Sequence, residues 1–203
     1  MFYEFQNIFS KQICFSHHQI KLVFPDFDNK NLGRWQKKNY ILKLRNGLYT
    51  FTEFINKPNM VIYAANCICK PSYVSVHFVL SYYGIIPEVI TTITSVSTLK
   101  TKQFRNGLGV FTYQSLQPEF YFGYEIKETV DFQFRMACPE KALIDFFHLF
   151  PVYNTPEDME LLRFDTFSLK ENVDVSKLDE YLHRIQSPVL YKRINLMKKI
   201  YEL

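Results

Sequence analysis

The chain has 203 residues, enough for one medium domain or two small ones. Apolar residues make up 47% of it and charged residues 22%, a balance that excludes a wholly disordered chain. No apolar run approaches the roughly 18 residues of a membrane helix, and the first residues lack the pattern of a secretion signal. We therefore expect a cytoplasmic protein without membrane contact. Four scattered cysteines are too few for a disulfide scaffold, so we expect them to be reduced.

The formal net charge of +4 is unevenly distributed along the chain. Residues 1–60 contain nine Lys or Arg and four acids, whereas residues 61–203 contain fifteen and sixteen. Between positions 29 and 52 there are six basic residues and no acid. A positive patch beside a neutral remainder indicates a polyanionic partner for one part of the chain. A solvated helix face is the alternative explanation.

The first forty residues predict three short helices. The first covers about 3–11. The second begins at Ser16, where Ser16 and Gln19 have the spacing of a capping box, and Pro25 ends it. Asp28 is the predicted N-cap of a third helix over about 29–38.

The third helix has a basic side and an apolar side. Lys30, Arg34 and Lys37 recur at helical spacing, opposite Leu32 and Trp35, so we expect the tryptophan to lie in the core. An asparagine at position 39 suits the left-handed conformation that ends a helix. The segment YILKLRNGLYTF then predicts a β-hairpin turning at Asn-Gly 46–47.

Helix, helix, short turn, basic helix and hairpin form the order of a winged helix-turn-helix. In that arrangement the basic helix enters the major groove and the hairpin lies along the DNA backbone or minor groove. Lysine and arginine neutralise phosphates, and arginine can also read guanine. We expect Arg45, near the hairpin tip, to contact phosphate or the minor groove. The candidate DNA-binding residues are Lys30, Asn31, Arg34, Lys37, Lys38, Lys43, Arg45 and Asn46.

A polar, proline-containing stretch at 56–59 predicts a boundary between residues 1–57, here called the front module, and residues 58–203, the second module. The second module predicts helices over about 60–69 and 76–83, the latter capped by Ser75 and stopped by Gly84. Strands follow between about 89 and 136, with a hairpin turn at Asn106-Gly107, and then helices over about 140–150, 156–163, 176–185 and 188–203. The expected fold class is α+β, with a mixed or antiparallel sheet and C-terminal helices.

The second module contains no phosphate-binding glycine loop, dinucleotide fingerprint or zinc-protease motif. The spacing of Cys67 and Cys69 is not that of a zinc site. We therefore expect no metal and no cofactor. Glu140, Lys141 and Asp145 are the candidates under an enzymatic alternative, a metal-dependent nuclease or phosphotransferase. A solitary regulator with a ligand-sensing second module is a further alternative.

Several segments resemble one family in the same order: NLGRWQKKNYI and LRNGLY, YVSVHFVLSYYGIIPE (73–88), TSVSTLKTKQF (94–104), GVFTYQSLQPEFYFGYE (109–125) and ACPEKALIDF (137–146). They look like the short form of the AbiEi antitoxins, from type IV abortive-infection toxin–antitoxin systems. The likeness covers roughly residues 1–150. An Asn at 39 replaces a usual Gly, and His77-Phe78 stands where Glu-Ser is common.

The resemblance implies a non-catalytic antitoxin that represses its own promoter at inverted repeats in double-stranded DNA. Its functional partner would be a nucleotidyltransferase-like toxin, without a required direct complex. We expect a monomer in solution that binds DNA cooperatively. The family's basic helix and wing fall on Arg34, Lys37, Lys38, Lys43 and Arg45. The motif residues of the second module, with antitoxic or structural roles, are Ser75, Tyr82, Glu88, Glu140, Lys141 and Asp145.

Overall fold

A computed structural model describes residues 2–203 and has the α+β composition expected from the sequence. In the front module the elements are α1 (Phe2–Phe9), β1 (Cys14–Ser16), α2 (His17–Val23), α3 (Lys30–Lys37), β2 (Ile41–Arg45) and β3 (Leu48–Phe51). The second module begins with α4 (Met60–Ile68), β4 (Tyr73–Val74), α5 (Val76–Tyr82), β5 (Thr92–Ser97), β6 (Lys102–Asn106) and β7 (Gly109–Ser115). It continues with β8 (Tyr124–Glu128), β9 (Gln133–Ala137), α6 (Pro139–Leu149), α7 (Pro156–Leu161), α8 (Thr166–Asn172), α9 (Val175–Ile185) and α10 (Pro188–Ile200).

The front module contains a three-stranded antiparallel sheet in the order β1-β3-β2. The predicted hairpin is present as β2 and β3, with Gly47 at φ 72° in the turn. Strand β1 was not predicted. It pairs with β3 through partners such as Phe15 and Tyr49, and a strand of three residues has too little pattern to be recognised before its partner is known.

Local signals set the limits of the helices around this sheet. The predicted capping box is confirmed: the Ser16 hydroxyl accepts the Gln19 amide at 3.2 Å, and the Gln19 side chain accepts the Ser16 amide at 2.7 Å. Asn39 adopts φ 55°, as expected for a residue that ends a helix. The N-cap position of α3 is Asn29 rather than Asp28. The Asp28 carboxylate nonetheless accepts the amide of Lys30 at 2.9 Å, so it still satisfies an amide of the first turn.

Replacing Ser16 with alanine should lower the free energy of unfolding by about 1 kcal/mol, because the first turn of α2 loses its hydroxyl acceptor. Urea denaturation measures this. Ser16→Thr, which keeps a hydroxyl, is the matched control and should stay near the wild type. An alanine variant as stable as the wild type would show that the capping box contributes nothing.

The core of the front module is aromatic. Phe5 lies 4.7 Å from both Phe9 and Trp35 between ring centroids, and 5.2 Å from Phe15. Trp35 is 6% exposed, which confirms the expectation that it is a core residue. Closely spaced rings of this kind bury much apolar area and add specific ring–ring attraction. They fix α1 and α3 against one face of the three-stranded sheet.

The second module is built on a six-stranded mixed sheet in the order β6-β7-β5-β4-β9-β8. The predicted hairpin at Asn106-Gly107 is confirmed by the antiparallel pairing of β6 with β7. β5 pairs in parallel with β7, and β4 pairs in parallel with β9. The two-residue strand β4 and helix α8 were not predicted. None of the helices in residues 2–203 combines the length and apolar composition that crossing a membrane requires.

The two modules share a hydrophobic interface. Because strand residues alternate between faces, Phe15 and Tyr49 pack into the aromatic core, whereas Cys14 and Leu48 pack into the core of the second module. Leu44 joins the second core as well. The front sheet therefore has its helices on one face and the second module on the other, although the boundary at 57/58 itself stays a prediction.

Candidate nucleic-acid interface

Helix α3 carries a row of exposed cations. Lys30, Arg34, Lys37 and Lys38 are exposed, whereas Trp35 on the opposite side is buried. The apolar side fixes the rotation of the helix, since turning it would expose the tryptophan. The spacing in the sequence therefore predicted which side chains reach solvent.

Asn31 is a correction to the predicted DNA-binding set. Its side chain is only 8% exposed, and its Oδ1 accepts a hydrogen bond from the Arg34 guanidinium at 3.4 Å. Position 31 precedes Trp35 by one helical turn, so it lies on the buried side of α3. Asn31 can orient Arg34, but it is not placed to contact a duplex.

Lys57, the last cation of the front module, pairs with Asp131 at 2.6 Å, but the cations before it are not neutralised by acids within residues 2–203. Lys30 and Lys37 also make no side-chain hydrogen bond in the part of the chain that is described. Lys38 lies 5.9 Å from the ring centroid of the exposed Tyr40. An exposed row of cations without counter-charges attracts a polyanion.

Arg45 is exposed near the hairpin tip, but its guanidinium is hydrogen-bonded within the chain, and its predicted DNA contact stays a prediction. Its Nε donates to the carbonyl of Ile68 at 2.7 Å, and its Nη1 donates to the carbonyl of Asn46 at 3.1 Å. Ile68 is the last residue of α4, so Arg45 connects the hairpin to the second module. A carbonyl 23 positions later in the chain gives no sequence signal, which is why the pattern alone suggested an unoccupied side chain. Asn46 is exposed, and its contact with DNA stays a prediction.

A basic groove runs between the edge strands of the two sheets, β2 and β6. It has a volume of about 730 Å³. The side chain of Asn106 crosses it, donating to the carbonyl of Leu44 at 2.9 Å. No Asp or Glu is among the residues that line it. The cations lining this groove are Lys43, Arg45, Lys70, Lys102 and Arg105.

Three of these groove cations, Lys70, Lys102 and Arg105, were missed by the sequence reasoning. They belong to the second module, which is close to neutral overall. Charged residues on an edge strand such as β6 also protect the edge from pairing with other chains, which is sufficient reason for their presence. Only the approach of β2 to β6 makes them part of one surface with Lys43.

The ACPEKALIDF segment contributes a buried polar cluster. Lys141 and Asp145 are 0% exposed and form an ion pair one helical turn apart on α6. The other carboxylate oxygen of Asp145 accepts hydrogen bonds from Tyr73 at 3.0 Å and Ser75 at 2.7 Å. Ser75 stands at the N-cap position of α5 but makes no capping hydrogen bond, which corrects the predicted role. Burial and the Asp145 charge raise the pKa of the Tyr73 phenol well above its ordinary value.

A glycine makes room for this cluster. Gly123 has φ 69°, and a Cβ there would lie 3.0 Å from the Lys141 stem and 3.0 Å from the Tyr181 ring. The Lys141 ammonium also lies 5.1 Å from the centroid of Phe122. Lys141 is thus enclosed by aromatic rings and paired with a carboxylate, a structural use of a charged side chain.

The remaining motif residues do not join the cluster. Glu140 is 2% exposed; it accepts the amide of Asp174 at 2.8 Å and lies 3.3 Å from the Lys177 ammonium. Tyr82 is exposed, and Glu88 forms an exposed ion pair with Arg163 at 2.8 Å. Two of the six motif residues, Tyr82 and Glu88, are therefore exposed, whereas the other four are buried.

The positions of the three candidate catalytic residues do not support the enzymatic alternative. Glu140, Lys141 and Asp145 do not line the basic groove, and each is enclosed by the core. Burial lowers the pKa of both His77 and His148. Neither has a carboxylate as a hydrogen-bond partner in the described residues. No cluster of three His, Cys, Asp or Glu side chains suited to a metal occurs in this part of the chain.

Comparison with known proteins does not assign the chain to a family: no family model matches it, and no curated protein has significant sequence similarity to it.

Proposed function

We propose that the chain is a DNA-binding autorepressor and antitoxin of the AbiEi type, with a winged helix-turn-helix in its front module. The order α1-β1-α2-α3-β2-β3 and the sheet order β1-β3-β2 support the winged-helix part of the proposal. In this reading α3 is the helix that enters the major groove, and the hairpin is the wing.

One observation carries the DNA-binding proposal. The exposed side of α3 presents Lys30, Arg34 and Lys37 without a single ion pair to an acid of the described chain. The helix is held by a buried aromatic core, so its cations have a fixed arrangement. Phosphates replace the missing counter-charges when a duplex binds, and release of cations from the DNA provides the free energy.

The hairpin contributes less than the pattern in the sequence suggested. Arg45 is held by the second module, which leaves Lys43 as the outward-facing cation of the wing. Lys43 also lines the basic groove, which leads from the front module to β6. DNA binding therefore depends mainly on α3, and the groove extends the positive surface.

The salt dependence of binding to the chain's own promoter tests this proposal. Neutralising Lys30 and Lys37 together should weaken binding to all duplexes alike and reduce the slope of log K against log salt by about 2, because two phosphate contacts are lost. Fluorescence anisotropy between low and physiological salt measures the slope.

Lys192 and Lys199 provide the matched control pair. They are exposed, take part in no ion pair among residues 2–203, and are seven positions apart on α10, as Lys30 and Lys37 are on α3. Lys192→Ala with Lys199→Ala removes the same total charge and should leave the slope near that of the wild type. Equal losses in the two double variants would mean that net charge, rather than the α3 surface, governs binding.

The antitoxin part of the proposal is supported by the resemblance of the second module and is tested by co-expression. The chain should restore growth to cells that express a nucleotidyltransferase-like toxin encoded beside it. If a well-expressed chain that binds DNA fails to restore growth, the antitoxin part of the proposal is wrong and the chain is a transcription regulator.

A further inference from the structure

Two cysteines, one from each module, meet at the interface between the modules. Cys14 lies in β1 and Cys67 lies in α4, and each thiol is close enough to shift the pKa of the other. Both line a groove of about 540 Å³ together with three cations, Lys11, Arg45 and Lys70. All four cysteines of the chain are reduced in this structure.

The surroundings of the two thiols make them unequal. The pKa of Cys67 is lowered, first by the neighbouring Cys14 thiol and then, against the effect of burial, by the positive charge of Lys70. The Cys67 thiol, together with burial, in turn raises the pKa of Cys14. Cys67 is also the more exposed of the two. A partly exposed thiol near cations is the type that reacts, whereas a buried thiol in apolar surroundings is inert.

The other two cysteines are buried. Cys69 is buried, and its thiol lies 4.0 Å from the Ser97 hydroxyl. Cys138 is 1% exposed, its thiol donates to the carbonyl of Gly123 at 3.2 Å, and burial raises its pKa to about 11. They therefore serve as internal controls for reactivity.

We propose that Cys67 and Cys14 form a peroxide-sensitive thiol pair whose oxidation covalently joins the two modules. The Cys67 thiolate attacks one oxygen of hydrogen peroxide, the O–O bond breaks, and hydroxide leaves, which oxidises Cys67 to a sulfenic acid. The Cys14 sulfur then attacks the Cys67 sulfur; the S–O bond breaks, and the hydroxyl group leaves as water with the proton from Cys14. Two thiols and one peroxide thus give one disulfide and two waters.

The disulfide would connect β1 to α4 across the buried face of the front sheet. In the reduced protein this interface is held by apolar packing and by hydrogen bonds such as the one from Tyr63 to the Gln12 carbonyl, 3.2 Å long. The bond would restrict separation of the modules and would place a redox signal beside Arg45 and Lys70. The inference does not depend on DNA binding.

Peroxide treatment followed by non-reducing peptide mapping tests the proposal. The full chain should lose the mass of two hydrogen atoms and show a Cys14–Cys67 linked peptide, with Cys69 and Cys138 still open to alkylation after unfolding. Before oxidation, Cys67 should react with iodoacetamide at neutral pH roughly 10-fold faster than Cys69, because Cys67 is partly exposed and its thiolate is favoured by Lys70, whereas Cys69 is buried.

Three variants and one remote control separate chemistry from folding. Cys14→Ser should stop at the Cys67 sulfenic acid, which dimedone captures, and Cys67→Ser should give no linked peptide. Lys70→Met should slow the alkylation of Cys67, whereas the remote Lys192→Met should not. Linkage of other cysteines, or a Cys67 that reacts no faster than Cys69 in the folded wild-type chain, would overturn the proposal.

Discussion

Replacing Lys141 with methionine should lower the free energy of unfolding by about 3–5 kcal/mol, because it leaves the Asp145 carboxylate buried without a cation. Methionine fills a similar volume, so the loss is electrostatic rather than a cavity. Since a chain of this size loses about 2–4 °C per kcal/mol, the midpoint of thermal unfolding should fall by roughly 6–20 °C. Calorimetry or urea denaturation measures the change.

A second substitution in the same ion pair tests whether the loss of stability comes from the unpaired charge. Lys141→Met combined with Asp145→Asn removes both charges and retains an oxygen that can accept hydrogen bonds from Tyr73 and Ser75. The double variant should therefore be more stable than Lys141→Met alone. A single variant within about 1 kcal/mol of the wild type, or a double variant that recovers nothing, would contradict the role assigned to the ion pair.

Replacing Lys30, Arg34 and Lys37 together with alanine should abolish specific binding to the promoter while leaving the fold intact. Arg34 alone should account for about 1–3 kcal/mol if it reads a base, because its guanidinium can donate two parallel hydrogen bonds to guanine. Competition binding with specific and unrelated duplexes measures the loss and its dependence on sequence.

The conservative variant Arg34→Lys tests base reading separately from charge. Lysine retains the positive charge but cannot make the two-pronged contact, so discrimination between duplexes should fall while non-specific binding persists. Unchanged circular dichroism serves as the folding control, since all three side chains of the triple variant are exposed. A triple variant that still binds its promoter with wild-type affinity would reject α3 as the interface.

Local rules accounted for the parts of the fold that depend on neighbouring residues. The capping box at Ser16, the left-handed Asn39, the Asn46-Gly47 hairpin and the stop at Gly84 all depend on backbone preferences within a few residues. The helical period of α3, which also depends only on nearby residues, predicted that its cations face solvent. In each case the residue that carries the signal is within one turn of the structure it determines.

The features that the sequence did not predict depend on contacts between residues that are far apart in the chain. The short strands β1 and β4 exist because β3, β5 and β9 supply partners. Arg45 was assigned to DNA because its acceptor, the Ile68 carbonyl, is invisible until α4 is placed. Lys70, Lys102 and Arg105 likewise became part of one groove only when the two sheet edges met.

The buried cluster explains the residues of the PEKALIDF segment in physical terms, which the resemblance to a family does not do. Lys141 and Asp145 lie one turn apart on α6, and Asp145 binds the hydroxyls of Tyr73, the first residue of β4, and Ser75, which directly follows β4. The segment thereby anchors the helix to the centre of the six-stranded sheet. Its spacing of Lys and Asp is explained by packing.

The central claim is that α3 binds DNA. Its most direct test is whether the promoter duplex protects the lysines of α3 from chemical acetylation. Mass spectrometry compares the extent of modification of each lysine in the unmodified chain with and without DNA. The account predicts strong protection of Lys30, Lys37 and Lys38, with Lys192 and Lys199 modified equally in both samples. Protection confined to the C-terminal helix, with the α3 lysines fully modified in the complex, would contradict it.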